Sequence, residues 1–146
     1  MRCTKMSFAL LCFILLSGCA SSQTQAQYDK VGISSARSVR QALNDPDSFR
    51  VDAAWLVHGG KGDDPDTVWV CFKGRAKNEM GGYVTIIATA EGHTDSGKGV
   101  WTMISPLDGD RAKYIEEQCV PTPWIDVTAA VQVALKADRE KEQDSK

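Results

Sequence analysis

The chain has little of the material from which most catalytic and metal sites are built. It contains two histidines and five cysteines, and they do not form the close-set pairs, such as C-x2-C or H-x3-H, that hold structural zinc. It also has no G-x-S-x-G sequence, which marks the nucleophile of many serine hydrolases. These absences argue against a zinc finger and against a hydrolase of that class.

Long apolar runs and an excess of positive charge are missing as well. The uncharged run Met6–Leu16 is shorter than the ~20 residues that a transmembrane helix needs. Lys and Arg number 17 against 19 Asp and Glu, a formal charge of −2, whereas a nucleic-acid binder would show a basic patch. The sequence therefore predicts neither a membrane-spanning helix nor a nucleic-acid partner.

What the N-terminus does contain is an export signal. Arg2 and Lys5 precede the apolar run Met6–Leu16, the arrangement of a secretory signal peptide. The run ends in Leu16-Ser17-Gly18-Cys19, which resembles the lipobox of bacterial lipoproteins. That resemblance implies removal of residues 1–18, a diacylglycerol group on Cys19 Sγ and a fatty acyl chain such as palmitate on its amine. Two or three acyl chains hold a soluble domain stably on a membrane.

The residues after Cys19 bear on location. Ala20, rather than aspartate, follows the cysteine, which resembles enterobacterial lipoproteins sorted to the outer membrane rather than kept in the inner one. Residues 19–28 are polar and predict a flexible tether. The alternatives are an ordinary signal peptide with an incidental cysteine, or a buried N-terminal helix. Loss of Arg2 and Lys5 with the signal would change the formal charge from −2 to −4.

The remaining cysteines predict a disulfide. Cys3 and Cys12 lie in the signal and Cys19 carries lipid, which leaves Cys71 and Cys119. An even pair in an oxidising compartment is typical of a disulfide, and closing a loop of that length contributes about 4 kcal/mol in the chain-entropy model. The alternative is two buried free thiols.

Hydrophobic patterning predicts helix, strands and then helices. A helix is expected over residues 29–45, because Ile33, Ala36, Val39 and Leu43 fall close to one face. It is expected to stop there because a residue before a proline, here Asp45, is disfavoured in helical geometry. Alternating and β-branched residues predict strands at residues 49–58, 67–77, 83–90 and 100–105. A short helix is expected over residues 111–119. A second C-terminal helix is expected to begin at Thr122-Pro123, since Trp124, Val127, Val131 and Leu135 form an amphipathic stripe.

This order is typical of an α+β fold. We expect an N-terminal helix, an antiparallel four-stranded meander, and C-terminal helices packed on one face of the sheet. The expected organisation is one globular domain over residues 29–136, followed by a charged tail over residues 137–146. The tryptophans, and Trp124 on its helical stripe above all, are expected in the core.

Two stretches resemble a group of small exported bacterial proteins. Residues 42–51 (ALNDPDSFRV) are similar to their L-x-D-P-x-S junction between helix and strand, and residues 70–86 (VCFKGRAKNEMGGYVTI) to a V-C-G-x-x-N-A-K-N-x-x-G-G-Y segment. The match covers roughly residues 38–88, and departs from the pattern at Phe72 and Arg75. The resemblance implies a fold and an exported location and supplies no catalytic residue. Pro46, Gly81, Gly82 and Tyr83 can each serve the fold.

Several residue sets have side chains of the types that bind metals or act as nucleophiles. His58, His93, Cys71 and Cys119 have the donor types of a zinc site, and Cys71 with either histidine has those of a thiol nucleophile. Their long spacings favour a disulfide and two loop histidines instead. Calcium is the weaker alternative for the turn carboxylates, which are Asp63, Asp64, Asp66, Asp108 and Asp110.

A basic cluster is the remaining candidate. Lys73, Arg75 and Lys77 alternate with smaller or apolar residues, so they share one face of a strand. Three cations on one face suit an anionic partner such as a lipopolysaccharide phosphate or a glycan carboxylate. The alternative is protection of an edge strand by charged side chains.

The sequence as a whole predicts a lipid-anchored envelope protein that faces the periplasm and acts as a binding or interaction module. Its expected partners are the membrane through Cys19 and an envelope protein or anionic envelope component, with no cofactor. Two alternatives stay open. One is a periplasmic enzyme or metal protein that uses His58 and His93 with the cysteines, and the other is a structural or exclusion factor at the outer membrane.

Overall fold

The computed structural model describes residues 8–58, 66–120 and 124–145, without the side chains of residues 8–24, Val100 and Trp101. The helices are α1 (Phe8–Gln41), a three-residue 3-10 helix (Pro46–Ser48), α2 (Ala112–Cys119) and α3 (Thr128–Asp144). The strands are β1 (Arg50–His58), β2 (Thr67–Lys77), β3 (Tyr83–His93), β4 (Lys98–Pro106) and β5 (Trp124–Asp126).

The strands form one antiparallel sheet in the order β4-β3-β2-β1-β5. The predicted α+β class is confirmed, and β1 to β4 follow one another as consecutive hairpins. The expectation of four strands was incomplete, because β5 adds a fifth at the outer edge of β1. β2, which has the strongest period-two pattern, lies at the centre of the sheet.

One face of the sheet is covered by α1 and α3. Alternate residues of β2 point towards these helices and are fully buried or nearly so: Val68, Val70 and Phe72. Val31 and Val39 of α1 meet them from the other side of the main core. The two helices approach closely where they start to run side by side, since a Cβ on Gly32 of α1 would stand 3.4 Å from Val131 Cγ2 of α3.

The opposite face carries α2 and a smaller apolar cluster. Ile115 and Cys119 of α2 pack there on Val57, Cys71 and Ile87. The prediction that both C-terminal helices share one face is therefore wrong. Cys119 can reach Cys71 only from the second face, because Cys71 points away from the residues that α3 covers.

The start of the last helix also differs from the prediction. Residues Trp124–Asp126 form β5, and α3 begins at Thr128; Thr122 and Pro123 lie outside the described residues. The Asp126 carboxylate accepts a hydrogen bond from the Thr128 N–H at 2.8 Å, while Thr128 Oγ1 donates to the Ala54 carbonyl at 3.1 Å. These bonds fix the start of α3 against β1. The helix therefore begins later than the amphipathic stripe from Trp124 to Leu135 predicted.

Both ends of the predicted domain extend further than expected. α1 is helical through Ala20–Gln27, where a flexible tether was expected. That segment has no glycine or proline, and alanine and glutamine are good helix formers. At the other end, residues 137–144 belong to α3 and contact α1 through Asp138 and Glu142, so they are not a separate tail.

Candidate functional site

The predicted basic cluster is a row of exposed, positively charged side chains on β2. Lys73, Arg75 and Lys77 are all exposed and share one face of β2, the face on which α2 packs. We call these three side chains the basic strand face. Because α2 is only eight residues long, it covers the half of that face near Cys71 and leaves the half with the three cations open.

The position of β2 decides between two interpretations of this cluster. β2 pairs with β1 on one side and β3 on the other, so it has no free edge in need of protection. Edge-strand protection is therefore excluded as the reason for these charges. An extended strand places alternate side chains about 7 Å apart, which gives a regular row of three cations on an otherwise flat surface.

Ion pairs neutralise this row only in part. Arg75 Nη2 lies 3.3 Å from Asp52 Oδ1, and Lys77 Nζ lies 3.8 Å from Asp45 Oδ2. Lys73 has no ion-pair partner among the residues that the structure describes. Exposed pairs of this kind contribute about 0–1 kcal/mol, so a ligand anion can compete for the cations at small cost.

An aromatic ring borders the same surface. Tyr83 pairs with Lys77 across the β2–β3 ladder and is 53 % exposed. Lys77 Nζ lies 5.9 Å from the centre of its ring, within the range of a cation–π contact. Thr85, opposite Arg75, is also exposed and adds a hydroxyl. The open half of the face therefore offers charge, a ring and a hydrogen-bonding group together.

The two stretches that carry the family resemblance meet at this end of the sheet. Ser48 Oγ donates to the Asp45 carbonyl at 2.7 Å and accepts from the Lys77 N–H at 2.9 Å. The Asn78 side chain accepts from the N–H groups of Met80 and Gly82 and so closes the β2–β3 hairpin. Ser48 and Asn78 thus serve the fold, whereas the side chains of Lys77 and Tyr83 face solvent.

The predicted cysteine pair is confirmed as a disulfide. Cys71 and Cys119 are bonded, with their Cα atoms 5.9 Å apart and a sequence separation of 48. Cys71 is fully buried in mid-strand, and Cys119 ends α2. The bond holds α2 on the sheet and removes both thiols from consideration as nucleophiles or metal ligands.

The two histidines lie on opposite faces of the sheet. His58 Nε2 is 3.3 Å from Tyr28 Oη of α1, on the face of the main core. His93 contacts Thr67 and Glu91 on the other face. The structure therefore does not bring the proposed histidine and cysteine set together. Within the described ranges, no three or more His, Cys, Asp or Glu residues are grouped so as to hold a metal ion.

The aspartates proposed as calcium ligands are not brought together either, as far as the structure describes them. Asp63 and Asp64 lie outside the described residues. The Asp66 carboxylate accepts a hydrogen bond from the Thr94 hydroxyl at 3.1 Å, which gives it a role in the turn. Asp108 and Asp110 lie in the turn between β4 and α2. β4 ends there opposite Ile86, whereas Asp66 adjoins Thr67 opposite His93, seven residues away along β3.

Sequence patterns did not reveal the charged junction between α1 and α3. The Arg40 guanidinium is largely buried and contacts the carboxylates of Asp47 and Glu142, and these hydrogen bonds, with Glu142 first, raise its pKa. Burial, followed by the charges of Arg50 and Arg40, lowers the pKa of Arg139. A cleft of about 600 Å³ opens beside Arg40. Its charged walls pair with each other, which indicates a structural junction.

An exposed aromatic edge was also missed. Trp124 is 58 % exposed instead of buried, because β5 places it on the same face as α2 and beyond that helix. Its ring meets the ring of Trp55 edge-on at 6.3 Å. The sequence did not predict this exposed position, because the spacing of Trp124, Val127, Val131 and Leu135 fits a helix as well as a short strand followed by a helix.

Comparisons with protein-family models, with curated proteins and with solved structures found no match. Among the described residues, no helix combines the length and apolar character needed to cross a bilayer. The residues themselves are therefore the basis for a functional assignment.

Proposed function

We propose that the protein is a lipid-anchored module of the bacterial envelope that binds a carboxylate-bearing glycan of the cell wall through the basic strand face. The observation that carries the proposal is the open row of Lys73, Arg75 and Lys77 on a central strand, beside the exposed ring of Tyr83. Cations at a regular spacing suit a polymer with repeated carboxylates, and the ring offers a surface on which a sugar can stack.

The position of the anchor favours a wall polymer over the lipid headgroups next to it. Gln25 Nε2 of α1 lies 3.4 Å from the Asp126 carbonyl, and Tyr28 contacts His58, so α1 enters the domain at the His58 end of the sheet. Cys19 is six positions before Gln25. On β2, Val68 pairs with His58, and Lys77 lies nine residues further on, about 30 Å away. A lipid on Cys19 would hold the basic strand face away from its own leaflet.

The enzyme or metal-protein alternative has no comparable support, since its cysteines are bonded and its histidines lie on opposite faces. The exclusion-factor alternative predicts no ligand, and the binding experiment below tests it directly.

Co-sedimentation with purified peptidoglycan tests the binding site. The variant K73Q/R75Q/K77Q should lose most of the binding of the parent, and binding of the parent should weaken as salt is raised, because exposed charges are screened. The matched control K30Q/K98Q/K136Q removes three exposed lysines on α1, β4 and α3 and should bind as the parent does. Equal binding by both triple variants, or none by the parent, would contradict the proposal.

The anchor is tested separately. The variant C19S should leave the membrane pellet and should lack the mass of the acyl groups. Unchanged pelleting and unchanged mass would refute lipidation and leave the wall-binding test standing.

A further inference from the structure

Trp124 belongs to a small apolar surface at the outer edge of the sheet. Its ring is more than half exposed and stands against Trp55, whose indole N–H donates to the Cys119 carbonyl at 3.2 Å. Val120, the next residue after Cys119, is 71 % exposed. We call Trp55, Val120 and Trp124 the tryptophan edge. The bond to Cys119 and the disulfide behind it fix this edge to the body of the domain.

The tryptophan edge lies at the end of the domain from which the proposed anchor emerges. Trp124 pairs with Val57, next to His58, and it is two residues from Asp126, whose carbonyl contacts Gln25. Because α1 is helical here, the six positions from Gln25 back to Cys19 span about 9 Å. Acyl chains on Cys19 would therefore bring a membrane surface to within reach of Trp124.

The chemistry of the edge suits the interface of that membrane. Tryptophan has an apolar body with one N–H donor and is enriched where hydrocarbon meets headgroups. Val120 adds exposed apolar area. Trp55, Val120 and Trp124 are uncharged, so their own attraction to a bilayer is apolar and does not need anionic lipid.

We propose that Trp124 and Val120 insert into the phospholipid leaflet that carries the acyl chains of Cys19, and that this second contact orients the domain. The inference rests on the lipid anchor of the proposed function. A domain held by a single lipidated residue can tilt freely, whereas two contacts at one end hold the strands upright. The basic strand face, whose residues lie five to nine positions along β2 from Val68, then stays about 17–30 Å from the His58 end of the sheet, where a wall polymer can reach it.

Quenching of tryptophan fluorescence by brominated lipid tests this contact. The full lipidated chain is reconstituted in vesicles of phosphatidylethanolamine and phosphatidylglycerol that contain a brominated phosphatidylcholine. The parent should be quenched by the brominated lipid, and W124F should lose most of that quenching. The control W69F changes a partly buried tryptophan of the α2 cluster and should retain it.

A second pair of variants probes the apolar contact without changing a fluorophore. V120S should reduce the quenching of Trp124 by brominated lipid and increase its quenching by aqueous iodide. V133S alters a valine of α3 that is also 71 % exposed but lies outside the tryptophan edge, and it should change neither value.

The outcomes separate the two proposals. If the parent floats with the vesicles while W124F is quenched as strongly as the parent, the anchor stands and the membrane contact of Trp124 is refuted. Flotation with Trp124 open to iodide and shielded from bromine also refutes it. If C19S floats as the parent does and the two proteins differ in mass only by the substitution, lipidation is refuted, and with it the inference.

Discussion

The Arg37 guanidinium donates two hydrogen bonds to the Asp138 carboxylate, with N–O distances of 2.8 and 2.9 Å. The two residues are 101 positions apart and join α1 to the far half of α3. Arg40 makes a parallel connection to Glu142 one turn further along both helices. The helix that leads towards the proposed anchor is thus fastened to the C-terminal helix by side-chain charge as well as by the core.

Neutralising Asp138 should destabilise the protein in a pH-dependent way. The hydrogen bond from Arg37 lowers the pKa of the Asp138 carboxyl, so its stabilisation is complete above the pKa of the unfolded chain and is lost as the pH falls through the lower folded value. Because Arg37 is half exposed, D138N should cost about 0.5–1 kcal/mol at pH 7. Urea unfolding at pH 7 and near pH 3 measures the difference, which should shrink in acid.

The control for this change is D144N, at the last residue of α3, whose carboxylate has no ion pair among the described residues. It should leave the free energy of unfolding nearly unchanged at both pH values. A D138N effect that is as large at pH 3 as at pH 7 would contradict the ion-pair explanation.

Removing the disulfide should destabilise the domain and loosen α2 most of all. Only Ala112, Ile115 and Cys119 of α2 are buried, so little else holds this helix on its face of the sheet. C71S/C119S should lower the free energy of unfolding by about 2–4 kcal/mol. Hydrogen exchange should accelerate in α2 and remain slow in α3. Reductant should reproduce both effects in the parent, and a parent insensitive to reductant would show that the bond is not formed.

Ser48→Ala should show how the turn before β1 is fixed to β2. The change removes the bond to the Asp45 carbonyl and leaves the Lys77 N–H without its acceptor at a buried position. An unmade buried hydrogen bond costs about 1–3 kcal/mol, and urea unfolding measures it. Ser96→Ala, at an exposed hydroxyl 3.5 Å from its acceptor, is the control. Equal, small losses for the two variants would mean that Ser48 does not fix the turn.

Gly74→Ala should be poorly tolerated for a steric reason. Gly74 lies opposite the register shift between Val51 and Ala53 in β1, where a Cβ would stand 2.3 Å from the Arg50 carbonyl oxygen. Overpacking of this kind costs about 1–3 kcal/mol. Gly82→Ala is the control, since its Cβ would come no nearer than 3.7 Å to Asn78. Thermal unfolding should rank G74A well below G82A, and the reverse order would refute the steric argument.

Much of the sheet was predictable because its signals are local. Val68, Val70 and Phe72 alternate along the chain, and β2 was found with the bounds that were predicted. The pair Cys71 and Cys119 followed from counting the cysteines that remain when those of the predicted signal peptide and lipobox are set aside. The end of the first helix was predicted less well: α1 ends at Gln41, four residues before the expected end at Asp45, and Pro46 begins the short 3-10 helix instead.

The sequence by itself determined the alternating strands, the cysteine pair and the row of three cations, because each depends on neighbours in the chain or on composition. Only the tertiary structure decided that Trp124 lies in an exposed strand, that α2 and α3 cover opposite faces, and that Arg37 meets Asp138. Those outcomes depend on which distant segment supplies the partner. A three-residue strand such as β5 exists only because β1 offers it hydrogen bonds, and its own residues carry no signal strong enough to predict it.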